Sequence, residues 1–166
     1  MTTRLSLTTI LRRSVADLLS ASTELRTLCG RSDNLVIGLH SIADWKLPVM
    51  VMVIEQDERV GGMGDRRRAI VRLVACAVDR DLNNLAHDLA ESMTEVARDV
   101  LESGGRPSAL EGYEIEGEPL LEMVFVDFGR RDLDPLEITG DIPAQFASKE
   151  IVFTVTATVL VPTAVA

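Results

Sequence analysis

Residues 48–55 read PVMVMVIE and residues 67–78 read RRAIVRLVACAV, and these two stretches decide the fold. Residues 49–55 are apolar at every position up to the closing glutamate. A strand of that kind has both faces covered and belongs in the centre of a sheet. Residues 67–78 alternate instead. Ala69, Val71, Leu73, Ala75 and Ala77 share one face, and Arg68, Ile70, Arg72, Val74, Cys76 and Val78 share the other. Between them QDERVGGMGD, residues 56–65, is polar and glycine-rich, so the two runs form a long antiparallel hairpin with its tip at residues 61–64. A connection of about ten residues exceeds what a hairpin needs, and such lengths go with function or disorder.

The flanking segments supply helices and further strands. In residues 8–20, Ile10, Leu11, Val15, Leu18 and Leu19 make a helical stripe that Thr8 or Thr9 can cap. A second short helical turn starts at Ser22 and stops at Gly30. Residues 35–39 form a short strand, and Pro48 makes the approach to the hairpin irregular. Residues 83–102 are the clearest helix: Leu82, Leu85, Ala86, Leu89, Met93, Val96, Ala97 and Val100 recur at three- and four-residue steps, with Asp88, Glu91, Glu95, Asp99 and Glu102 on the other side. Gly104, Gly105 and Pro107 end it. The acidic EGYEIEGEP, residues 111–119, holds one short edge strand around residues 113–115. LLEMVFVDF, residues 120–128, is a strand, and residues 129–149 are a long connection with Pro135, Gly140 and Pro143. Residues 151–161 alternate again: Ile151, Phe153, Val155, Ala157 and Val159 point to the core, and Val152, Thr154, Thr156 and Thr158 point away. The expected fold class is α+β: an antiparallel or mixed sheet with a long hairpin and helices packed on one face. The expectation is one domain over residues 1–166 with long loops at 56–66 and 129–149.

Composition narrows the function. Hydrophobic residues are 46% and charged residues 26% of 166, the balance of a folded domain. Net charge is −9 and aromatics are 4%, which argues against nucleic-acid binding. Nothing in the sequence reads as a membrane span or a signal peptide. Two cysteines, Cys29 and Cys76, are too few for a disulfide scaffold and point to a reducing compartment. The charge is uneven. Residues 1–80 hold 12 Lys and Arg against 9 Asp and Glu, a net of +3, whereas residues 81–166 hold 5 against 17, a net of −12. That split marks either a directional partner surface or two differently charged solvated faces. All basic residues but Lys46 and Lys149 are arginine, through interface use or codon bias.

Reaction chemistry is sparse. His40, His87, Cys29 and Cys76 are scattered and have no metal-site spacing. Cys76 reads as a small apolar strand residue and His87 as a solvated or capping side chain. No G-x-S-x-G elbow is present. Gly61, Gly62 and Gly64 fit no nucleotide-binding motif, although with Arg66, Arg67 and Arg68 they could build an anion nest in place of a plain hairpin tip. The carboxylate pairs Glu114/Glu116 and Asp132/Asp134 sit in polar segments and read as solvated acids. No catalytic residue, cofactor or metal is expected.

The arrangement resembles the bacteriophage tail-terminator proteins. The likeness is carried by the amphipathic N-terminal helix and by PVMVMVIE joined through a charged loop to RRAIVRLVACAV. LAHDLAESMTEVARDVL, LLEMVFVDFGRRD and EIVFTVTATVLV continue it, so that it covers residues 7–161. It rests on element order and hydrophobic pattern. It implies a structural virion protein that forms a hexameric ring of identical subunits, assembled in the host cytoplasm. The ring caps the tail tube, stops tube polymerisation and offers a surface to the head–tail connector. The family supplies no catalytic residues. Unequal ends suit a ring with different partners above and below, and an acidic lumen would let DNA pass without sticking. Two contact surfaces are expected. Arg59, Gly61, Gly62, Gly64, Arg66, Arg67 and Arg68 would meet a neighbouring subunit or the tube, and Arg130, Arg131, Asp132 and Asp134 would meet a second partner. The alternatives are another neck protein (a head–tail connector or head-closure protein) and a small anion-binding α+β enzyme.

Overall fold

The computed structural model describes residues 5–30, 35–38, 47–61, 64–79, 85–102, 110–111, 113–129 and 146–160. Gly62, Arg130, Arg131, Asp132 and Asp134 lie outside them, as do His40, the proposed helix stop at Gly104, Gly105 and Pro107, and most of the 129–149 connection.

The chain is α+β with a mixed sheet. Helices α1 (Leu7–Ala21) and α2 (Thr23–Cys29) precede strands β1 (Val36–Ile37), β2 (Val49–Arg59) and β3 (Arg66–Val78). Helix α3 (Ala86–Glu102) follows, then β4 (Glu114–Ile115), β5 (Glu118–Pro119), β6 (Leu121–Asp127) and β7 (Phe146–Val159). The main sheet runs β1-β2-β3-β7-β6, and β4 and β5 form a separate small hairpin. The β1–β2 pair is parallel and all others are antiparallel.

β2 is an interior strand, as expected, with β1 on one side and β3 on the other, and β3 is the middle strand of the five. β3 pairs along its whole length, with β2 on one side and β7 on the other. β2 meets β1 only at Met50 and Val51. The even apolar run of β2 therefore reflects burial by packing, and the buried Ala69 to Ala77 of β3 mark the middle strand.

The helices cover one face. Leu11, Val15 and Leu19 of α1 and Met93, Ala97 and Leu101 of α3 close over Ala69, Val71, Leu73, Ala75 and Ala77 of β3 and over Phe153 and Val155 of β7. Each such large side chain, fully buried, stabilises the fold by about 1.5–3 kcal/mol. The alanines of β3 face Ala86, Ala90 and Ala97 of α3 within one cluster, so small residues on both sides leave room for the helix against the sheet. Val49, Val51, Val74 and Cys76 form a second, smaller cluster on the other face, with Ile37, Leu47 and Phe146 against it.

Several boundaries differ from expectation. The cap of α1 is Ser6, whose Oγ accepts the Thr9 N–H at 3.1 Å; neither Thr8 nor Thr9 serves. Ser22 caps α2 through the Leu25 N–H, and Gly30 ends it in the left-handed conformation at φ 63°, both as expected. The start of α3 is held by Asp79 at the end of β3, whose Oδ1 accepts the Ala86 N–H at 2.6 Å. Strand pairing reaches further than hydropathy indicated. The tip connection is residues 60–65, because polar residues up to Arg59 and from Arg66 onward stay in the ladder. Similarly, β7 begins at Phe146, so Lys149 is a strand residue opposite Ala75 and not loop. Residues 114–119 hold two strands joined through Glu116 (φ 53°) and Gly117 (φ 80°), the paired positive dihedrals of a tight hairpin turn.

Candidate functional site

The hairpin tip carries most of the expected contact residues, and alternation along β3 sorts them. Arg67 has the parity of Ala69 and points to the helix side, whereas Arg66 and Arg68 point to the opposite face. A bulge in β2 between Glu55 and Glu58, with Gln56 at φ 55°, turns Asp57 toward α1. Asp57 Oδ2 accepts the Thr8 N–H at 3.1 Å and the Thr8 hydroxyl at 3.0 Å, and Oδ1 accepts Arg67 Nη1 at 3.3 Å. The helix N-terminus welcomes that negative charge. Asp65 is buried, with 6% exposure. It accepts Arg67 Nε at 3.0 Å and lies 3.5 Å from Arg59 Nε. Burial works to lower the pKa of Arg67, but its bonds and charges with Asp57 and Asp65 outweigh this and hold it above the ordinary arginine value. The turn is closed by the Val60 N–H to the Arg66 carbonyl and the Val159 N–H to the Asp65 carbonyl, each 2.8 Å.

The described residues at the base of the tip are thus bonded to one another. Arg59 and Arg67 are engaged with carboxylates, Gly61 and Gly64 are exposed, and Gly64 takes φ 75°. The structure brings Arg66 together with a group the sequence reading overlooked, Met123 and Phe125 of the edge strand β6. Arg66 Nη1 donates to the Met123 carbonyl and to Thr158 Oγ1, both at 3.2 Å, and its guanidinium stands 5.6 Å from the Phe125 ring centre. The available signal was a hydrophobic residue at outward parity on β6, which an edge strand facing solvent does not need.

A second cluster lies mid-sheet on the same helix-free face. Arg72 is 5% exposed and donates through Nε to Glu150 Oε1 at 2.6 Å and through Nη1 to Glu55 Oε1 at 3.5 Å. The hydrogen bond to Glu150 is the main reason its pKa rises, against the opposing effect of burial. This triad ties β2, β3 and β7 in register. Elsewhere, burial pushes the Cys76 thiol up to about 12, so it is no nucleophile at neutral pH. His87 is exposed, 4.0 Å from Glu91. Among the described residues no three His, Cys, Asp or Glu side chains gather as a metal site, and no helix is long and apolar enough to cross a membrane. The open hollow between the α1–α2 junction and α3 is lined by Leu18, Val96 and Val100 with Ser22, Glu24 and Asp99, and the Ser22 hydroxyl oxygen is engaged in capping α2 through the Leu25 N–H.

No protein-family model matches the sequence, and no curated protein matches it.

Proposed function

We propose that this chain is a structural protein of a bacteriophage particle, a tail terminator. Its copies close into a ring, a hexamer by the resemblance, on the end of the tail tube. The ring stops polymerisation of the tube protein and presents its far side to the head–tail connector. The observation that supports this reading best is the order of elements around one mixed sheet. An N-terminal helix is followed by a hairpin of two long strands with a charged tip, then an acidic helix and two further long strands. That is the order on which the resemblance rests. Of the three arginines a phosphate nest would use, Arg67 is already held by Asp57 and Asp65, and Arg66 is turned to the Met123 carbonyl and the Phe125 ring, which favours contact work over anion capture. The net charge of −9 suits a conduit through which DNA passes without specific binding.

The test is to mix the purified chain with assembled tail tube and read composition and mass by light scattering. A fixed number of copies bound per tube end is the expected result. A chain that ignores tubes and joins heads alone belongs among connector or head-closure proteins. A chain that ignores both and is stabilised by a phosphate compound returns the small anion-binding enzyme.

A further inference from the structure

The main sheet has two edges among the described residues, and they differ in length. β1 is two residues long, too short to serve as a template for another strand. β6 is seven residues long and forms the other edge. Along β7 the Val159 N–H turns to Asp65 and the Leu160 N–H to Leu120, so the even-numbered residues of β7 bond toward β6. Their partners Glu122, Phe125 and Asp127 therefore turn backbone groups inward, and Val126 turns its N–H and carbonyl outward. A row of outward groups invites a strand from another chain.

That row is broken in its middle. Glu122 pairs with Thr158 and Phe125 with Thr156, so Met123 and Val124 together stand opposite Ala157. Met123 takes φ 52°, a left-handed conformation that costs energy in any residue with a side chain. Two side chains from outside the strand hold the break. Arg66 reaches across from β3, and its Nη1 donates to the Met123 carbonyl and to Thr158 Oγ1, both at 3.2 Å, while its guanidinium stands over the Phe125 ring. Glu111, ahead of the small hairpin, accepts the Val124 N–H through Oε2 at 3.5 Å. The bulge bends the edge, and the two contacts occupy a main-chain carbonyl and N–H at the break. We infer that Arg66 and Glu111 guard this edge. By holding the Met123 bulge they keep β6 from pairing with a strand of another chain, and contact with neighbours is left to other surfaces. The guard does not rest on the tail-end reading.

The test compares full chains at equal concentration by thioflavin fluorescence and by hydrogen exchange at the Val126 amide. In the unaltered chain that amide is expected to exchange freely and the dye to stay dark. Arg66→Ala is expected to raise the rate of dye-positive association by at least about tenfold, the factor that loss of one charged hydrogen bond gives to the population of a straightened edge. The Val126 amide is expected to become protected in the associated material. Glu111→Ala removes only the contact to the Val124 N–H and should move both readouts the same way by a smaller factor. Met123→Gly relieves the left-handed residue, so adding it to Arg66→Ala should return association toward the unaltered rate. Arg72→Ala cuts ion pairs among β2, β3 and β7 and measures what plain weakening of the sheet does. No rise in Arg66→Ala, no rescue by Met123→Gly, or equal association of Arg72→Ala overturns the guard. Protection of Val126 in the unaltered chain overturns it too, since β6 would then already be paired.

Discussion

Tyr113 is the only tyrosine in the chain, so its titration can be followed alone. Burial first, then the hydrogen bond and charge of Asp17, push its phenol up to about 12 from 10.0. The folded state thus favours the protonated phenol. That contribution is whole below about 10, the unfolded value, and is lost as pH rises toward about 12. Tyrosinate absorbance of the folded chain is expected to rise near that upper value, and Tyr113→Phe to flatten the loss of stability over the same interval. A midpoint near 10 in the folded chain contradicts the Asp17 contact. Asp57 offers a second test. It accepts from two groups of Thr8 and from Arg67, so Asp57→Ala is expected to cost about 2–3 kcal/mol in urea unfolding. The exposed neighbour Glu58→Ala is expected to change stability by less than about 0.5 kcal/mol. Residue roles of this kind divide by distance along the chain. Ser22 and Gly30 could be read from sequence because their partners lie three or four residues away. Asp57 could not, because its partner is 49 residues off and a bulge aims it.

Strand ends show the same division. The hydrophobic cores of β2, β3 and β7 were readable from pattern, since each alternates or fills against the helices. Their polar extensions were not. Glu58 and Arg59, beyond the bulge, and Phe146–Lys149 pair with β3 through the backbone ladder, which asks nothing of side-chain polarity. Nor does hydropathy reveal that β3 is central, because β2 is the more evenly apolar in sequence. The feature that fixes the three strands in register is the Arg72 triad, whose partners lie 17 and 78 residues away. Arg72→Ala is expected to destabilise the chain by about 2 kcal/mol, below the ~3–5 typical when a fully buried pair is broken. The reason is that Glu55 and Glu150 keep 34% and 21% of their side-chain exposure and can be rehydrated. Arg72→Met fills the same space and should recover part of that loss only when Glu150→Gln removes the stranded charge. Urea midpoints of the three variants check this. Equal loss in Arg72→Met with and without Glu150→Gln would show that shape and not charge holds the strands.

In the molecule as a whole, composition and pattern reached the fold class and the helix-covered face. They also separated a basic first half from an acidic second half. What they missed is how those charges are spent. Alternation at the tip sends Arg67 inward to two aspartates and leaves Arg66 and Arg68 on the opposite face, with Arg66 over the Phe125 ring. The tail-terminator proposal assigns this end of the sheet to contact with neighbours. The measurement that bears on this most closely is electron microscopy of tail tubes polymerised with and without the chain. The account predicts tubes of limited length with a ring on one end when the chain is present, and unregulated tubes with bare ends when it is absent. Tubes of the same length distribution in both, with no added density at either end, would contradict it.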